Sequence, residues 1–166
     1  MADTAKYGIL IFAVLIVLGW WIARKQSALA VASALIVPLG AVIAYVVQQL
    51  IDNGVNEARP YSIHADILVL VSRTTDPSFP SDHACAAGAI AAGLFFVNRK
   101  LGIVATLCAL VLAFSRVYSG AHWPLDVIAG LAFGAAIAIA AMLFLRKPVT
   151  ALVEKLRTSP VRWVVQ

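Results

Sequence analysis

The chain has 166 residues, of which 62% are hydrophobic and 13% charged, and it carries a formal net charge of +5. Its mean hydropathy is +0.92. A soluble domain of this size is about half apolar and about a quarter charged. This chain cannot cover itself with polar surface, so a soluble globular domain and a disordered chain are both excluded, and an integral membrane protein remains.

A helix needs about 20 apolar residues to cross a bilayer. The first such span runs from Tyr7 to Ala23 and ends at Arg24-Lys25. The basic pair follows the apolar core, the reverse of a signal peptide, so the segment is read as a retained span. The second span covers Ala28 to Ile51, with Pro38 expected to kink it. A polar stretch from Asp52 to Pro60 follows. Ile63 to Val71 is apolar but too short to span and is read as a surface or re-entrant segment. Arg73 to Pro80 is a loop, with Asp76-Pro77 and Phe79-Pro80 as breakers. The third span, His83 to Val97, is rich in Ala and Gly, which suits close helix packing; Asn98-Arg99-Lys100 ends it. The fourth runs from Leu101 to Tyr118, Ser119-Gly120-Ala121 forms a turn, and Pro124 stands where a first helical residue would be. The fifth is Pro124 to Leu145, closed by Arg146-Lys147-Pro148, and the tail Val149 to Gln166 is expected to lie along the interface. The expected architecture is an all-α polytopic membrane bundle of about five transmembrane helices, one domain over residues 1–166.

Charge assigns the sides. With five spans, Arg24, Lys25, Arg99, Lys100, Arg146, Lys147, Lys155, Arg157 and Arg162 share one face, nine of the thirteen basic residues. The positive-inside rule puts that face in the cytoplasm, with the N-terminus and the opposite face outside. Basic residues in short pairs beside apolar runs speak for topology and against a nucleic-acid partner. Trp20, Trp21, Trp123 and Trp163 mostly sit near span ends and read as an aromatic belt. Cys85 and Cys108 fit neither a disulfide framework nor a metal cluster.

The outer face collects Arg59, His64, Ser81, His83, Ser115, Arg116, His122 and Asp126, and ionisable groups at membrane depth default to a functional reading. In His122-Trp123-Pro124-Leu125-Asp126, the carboxylate lies about one helical turn from the imidazole. It can accept from one ring nitrogen, leaving the other free as nucleophile or base. Arg116, six residues upstream, offers a guanidinium fork that matches phosphate oxygens. Ser81 is a candidate N-cap, and the backbone N–H groups after it, with Asp82 first, form an anion site at a helix start. His83 projects from that turn and could protonate a leaving oxygen. Arg59, held by Pro60, adds a second guanidinium. Two arginines, two histidines and a helix start on one membrane face describe phosphoryl transfer through a phosphohistidine. Reading His64, His83 and His122 as metal ligands would leave the arginine and carboxylate spacings unexplained. Neither a metal nor another cofactor is expected.

These segments resemble those of the type 2 phosphatidic acid phosphatase superfamily, which includes the vanadium haloperoxidases. Its pattern is Lys-x6-Arg-Pro, then Pro-Ser-Gly-His, then Ser-Arg-x5-His-x3-Asp. The third motif is complete as Ser115-Arg116, His122 and Asp126. The second is Pro80-Ser81-Asp82-His83, in a form similar to the bacterial undecaprenyl-diphosphatase branch. The first is partial, with Arg59-Pro60 matching and Asp52 at the lysine position, so the motifs span residues 52–126. The resemblance implies a helical membrane phosphatase with His122 as nucleophile, Asp126 as its orienting partner and His83 as general acid. Arg59, Ser81, Arg116 and the Asp82 backbone would bind the substrate phosphate. The implied reaction is hydrolysis of a polyprenyl diphosphate to the monophosphate at the outer leaflet of the cell membrane. Alternatives are another lipid phosphatase, acting on phosphatidylglycerophosphate, phosphatidate or a prenyl-linked sugar phosphate, or a non-catalytic binder of anionic lipid. A carboxylate at residue 52 facing a phosphate ~6 Å away, at an effective dielectric of ~20, would repel it by roughly 3 kcal/mol. Asp52 is therefore expected to turn away.

Overall fold

In lipid, an apolar segment must close its backbone hydrogen bonds internally, and a helix does so within one segment. The computed structural model describes residues 2–158 and places these runs in seven helices. They are α1 (Ala2–Tyr7), α2 (Ile9–Ala23), α3 (Ala28–Val55), α4 (Pro60–Ile63), α5 (Asp82–Phe95), α6 (Arg99–Tyr118) and α7 (Pro124–Arg157). No strand occurs among the described residues. By length and composition α3, α6 and α7 can each cross a membrane, and α2 and α5 are shorter apolar helices.

Caps set several of these boundaries. Ser27 Oγ accepts the Ala30 N–H at the start of α3, and Asn98 Oδ1 accepts from Lys100 and Leu101 at the start of α6. Two expected ends are corrected. α3 continues past Ile51 to Val55 and stops where Asn56 adopts the left-handed conformation, so Asp52 is helical and buried rather than in a loop. Pro38 sits within α3 without ending it. α7 passes through Arg146-Lys147-Pro148 and runs to Arg157. The reason is packing: Val153, with Val149 and Leu156 beside it, continues the apolar stripe onto Ala28, Val31 and Ala32 of α3. Arg157 Nη2 also donates to the Gln26 carbonyl. The tail expected at the interface is thus helix as far as Arg157; residues 159–166, with Arg162 and Trp163, lie outside the described residues.

α5 is the central element and packs against α2, α3, α6 and α7. Nine of its 14 residues are buried, as expected for a helix that is apolar all round. Its tightest contact is with α7, where a Cβ on Gly134 would collide with the Cys85 carbonyl oxygen. α6 packs closely on α5 and only slightly on α7. The main core gathers Phe12, Ile36, Leu94, Leu112 and Met142 from five helices. Arg24, Lys25, Arg99, Lys100, Arg146, Lys147, Lys155 and Arg157 collect at one end of the bundle. The C-terminus of α6 and the N-termini of α5 and α7 meet at the other.

Gly134→Ala should lower stability by about 1–3 kcal/mol, because an added methyl group meets rigid backbone. Gly54 in α3 has nothing within 4 Å of its would-be Cβ. Gly54→Ala should therefore stabilise by up to about 1 kcal/mol. Thermal unfolding in detergent micelles measures both; equal effects at the two positions would contradict the backbone contact.

Candidate active site

The turn between α6 and α7 depends on Gly120, at φ +70°, a backbone conformation that side chains other than glycine rarely adopt. It delivers His122 to the end of the bundle, where the residue is 2% exposed. Nε2 of His122 lies 3.2 Å from Arg59 Nη1 and 3.3 Å from Arg116 Nη2. A guanidinium can only donate, so Nε2 must present its lone pair and the ring proton must sit on Nδ1. Nδ1 accordingly donates to the Ser78 carbonyl at 2.9 Å.

Asp126 acts differently from the sequence reading. Its Oδ2 is 3.6 Å from His122 Nδ1, too long for a hydrogen bond. That oxygen is already engaged by the Trp123 N–H at 2.8 Å and by the Ser78 hydroxyl. Ser78 therefore stands between the pair, its carbonyl on the imidazole and its hydroxyl on the carboxylate. The imidazole pKa lies below the ordinary histidine value. Burial is the largest cause, Arg59 and Arg116 add to the fall, and Asp126 opposes it.

Each arginine is held from behind. Arg59 Nε and Nη2 grip Asp76 through its carbonyl at 3.0 Å and its carboxylate at 2.6 Å, and Nη1 also donates to the Ala121 carbonyl. Partial burial pushes the Asp76 carboxyl upward, but the Thr74 hydroxyl and the Arg59 guanidinium hold it below the ordinary carboxylate range. Arg116 Nη1 donates to the Ala5 carbonyl of α1 at 3.0 Å, and its buried Nε has no hydrogen-bond partner.

Ser81 caps α5 by accepting the Ala84 N–H, and its own N–H donates to the Asp126 carbonyl, joining the starts of α5 and α7. The Asp82 carboxylate takes the anion position at this helix start. Its Oδ1 accepts from the His83 N–H at 2.7 Å, lies 2.8 Å from His83 Nδ1 and is 4.0 Å from His122 Nε2. The two histidines thus flank one carboxylate oxygen.

The seven residues to which the resemblance gives a role, Arg59, Ser81, Asp82, His83, Arg116, His122 and Asp126, meet here. Asp52 is 4% exposed and has one oxygen, Oδ1, without a hydrogen-bond partner. The charges of Arg59, Asp76 and Asp82 act on its carboxyl, so it lies beside the site rather than clear of it. Ser115 donates to the Leu112 carbonyl within its own helix, and His64 packs edge-on to Trp123. Ser78, Asp76 and Gln48, whose amide holds the Pro80 carbonyl at 2.9 Å, escaped sequence reasoning. A cavity of about 430 Å³ opens beside His122, walled by Ile67, Leu68, Tyr118 and Trp123.

The sequence pattern of the PAP2 superfamily matches residues 29–149, which includes all of these site residues. Undecaprenyl-diphosphatase BcrC of Bacillus subtilis (strain 168) is 32% identical over 131 residues, 79% of this chain and 66% of that protein. An undecaprenyl-diphosphatase of Sulfolobus acidocaldarius is 36% identical over 107 residues, 64% of this chain and 48% of that protein. The match thus spans between about half and two thirds of the length of these relatives. A transmembrane PAP2-type phosphatidylglycerolphosphate phosphatase from Bacillus subtilis, known from its crystal structure, superposes with a TM-score of 0.63. That superposition covers 86% of this chain and 70% of the other at 19% identity, a likeness of fold.

The site predicts a titration. NMR of ring-labelled histidine should place the His122 pKa below the ordinary value of about 6.5, with the neutral ring carrying its proton on Nδ1. Arg116→Gln removes a neighbouring positive charge and should raise that pKa. A downward movement would contradict the proximity of the guanidinium.

Proposed function

The chain belongs to the PAP2 superfamily, and from that premise we propose that it is a membrane lipid phosphatase that hydrolyses a polyprenyl diphosphate to the monophosphate. The observation that carries this reading is the His122 Nε2 lone pair held between two guanidinium groups. A neutral imidazole is a competent nucleophile, and a dianionic or trianionic head group is the ligand that paired guanidiniums suit.

In the first step Nε2 attacks the terminal phosphorus and the bond to the bridging oxygen breaks. This leaves a phosphohistidine and the lipid monophosphate. Arg59 and Arg116 take up the charge on the equatorial oxygens, the largest contribution expected in such a transfer. The start of α5 offers the Asp82 N–H to the same oxygens, and the His83 N–H once the Asp82 carboxylate that now accepts it moves away. His83 protonates the leaving oxygen, then takes a proton from the water that attacks the phosphohistidine. Inorganic phosphate departs and Nε2 regains its lone pair. The Asp82 carboxylate, 4.0 Å from Nε2, must swing aside as the phosphate arrives, since two anions cannot share the position. The polyprenyl head group follows the names of the two undecaprenyl-diphosphatase relatives. The apolar helices supply the lipid setting.

Phosphate release from purified protein tests the reading. His122→Ala should abolish turnover of undecaprenyl diphosphate, and Arg59→Gln and Arg116→Gln should each cost about a hundredfold or more in kcat. Chelator should leave the wild type active; complete loss restored by a divalent ion would overturn this mechanism. Faster turnover of phosphatidylglycerophosphate or phosphatidate would move the substrate assignment to that lipid.

The site is proposed to face outward, because the basic residues gather at the opposite end. In a background lacking Cys85 and Cys108, a cysteine at exposed Asp66 should react with an impermeant reagent on intact cells, whereas one at exposed Lys100 should not. The reverse pattern would place the substrate in the inner leaflet.

A further inference from the structure

α6 and α7 are consecutive and joined by the turn that carries His122, yet they diverge, each packing mainly on α5. The gap between them is a cavity of about 760 Å³, within the roughly 300–1,000 Å³ of small-molecule sites. Gly88, Ala91 and Ala92 of α5 form its floor. Its rims, Leu110 of α6 and Ile128 of α7, are more than half exposed and open toward the bilayer. Thr106 contributes the one side-chain polar atom among the lining residues, and its hydroxyl is spent on the Gly102 carbonyl of its own helix. Nothing in the groove calls for a polar ligand.

The groove lies in line with the cavity beside His122. On α7, Ile128, Ala132, Ala135 and Ile139 recur at helical spacing along it, and one turn earlier the same stripe begins at Pro124, which lines the cavity beside His122. On α6 the stripe through Thr106 and Leu110 continues to Val117, which lines that cavity too. At roughly 1.5 Å per residue, Ile139 lies about 22 Å beyond Pro124, most of the way through a hydrocarbon core of about 30 Å. We infer that the seam between α6 and α7 binds the extended isoprenoid chain of the substrate, an inference that rests on the phosphatase reading for the head group. A methyl-branched chain is thicker than a saturated acyl chain, and a floor of glycine and alanine supplies the depth it needs.

Photolabelling in lipid nanodiscs tests the groove without turnover. A polyprenyl monophosphate carrying a diazirine in its chain should label residues 106–117 and 128–139, and undecaprenyl phosphate should compete. Even labelling of every lipid-facing surface, including the exposed Leu143 and Phe144, would show bulk lipid contact and overturn the inference. Kinetics give a second measure. Ala132→Trp and Ala135→Trp, checked for native melting behaviour, should lower kcat/KM for undecaprenyl diphosphate at least about tenfold, as lost apolar contacts do. With isopentenyl diphosphate, too short to reach the filled segment, the change should stay within about twofold. Phe144→Trp should alter neither. Equal losses on both substrates, or none on either, would also overturn the inference. A wild type that is labelled in the seam but releases phosphate from neither diphosphate would refute the hydrolysis reading and leave the groove standing.

Discussion

Two guanidinium groups buried beside one imidazole, at the end of an otherwise apolar bundle, are the constraint around which the rest is arranged. Arg59 and Arg116 are 5% and 8% exposed, and a buried charge is tolerated only when its donors are met. The partners come from far along the chain. Asp76 arrives on the long connection between α4 and α5, the Ala121 carbonyl on the α6–α7 turn, and the Ala5 carbonyl on α1. Segments that add little to the main core therefore serve to anchor cations. Arg59 is met at every nitrogen and Arg116 at all but Nε, and each turns one donor toward Nε2.

Asp126 shows how few groups are needed to align the buried ring. Its carboxylate caps its own helix through the Trp123 N–H and receives the Ser78 hydroxyl, and its main-chain carbonyl receives the Ser81 N–H. One residue thus ties together the start of α7, the start of α5 and the loop before α5. The imidazole takes its direction from a main-chain carbonyl, which carries no net charge. Burial and the two neighbouring cations then favour the neutral ring.

Much of this was legible in the sequence, and the parts that were not have physical reasons. Spans were visible as long apolar runs, three of them ending at the basic pairs Arg24-Lys25, Arg99-Lys100 and Arg146-Lys147. The end of α3 was not, because Asp52, Asn53 and Gly54 remain helical after apolarity fades, and one left-handed residue stops the helix. Pro148 misled for the opposite reason, since packing of Val153 on α3 outweighs the missing donor. The histidines, Arg116, Ser81 and Asp126 could be read because each sits within a few residues of a helix end with a fixed neighbour spacing. Ser78 and Asp76 could not. Ser78 works through its carbonyl and a hydroxyl 44 and 48 positions from its partners, and Asp76 clamps an arginine 17 positions away. Neither distance leaves a periodic mark.

The bond from Arg116 to the Ala5 carbonyl joins residues 111 positions apart. It ties α1 to the end of the bundle that carries the imidazole and the two guanidinium groups. Trimming through that helix would strip a buried guanidinium of an acceptor that no side chain replaces, and the freed fork would tilt toward whatever oxygen lay nearest. An affinity tag placed flush against α1 would pull on the same link. A change at α1 is thus felt at Arg116 and, through it, at His122.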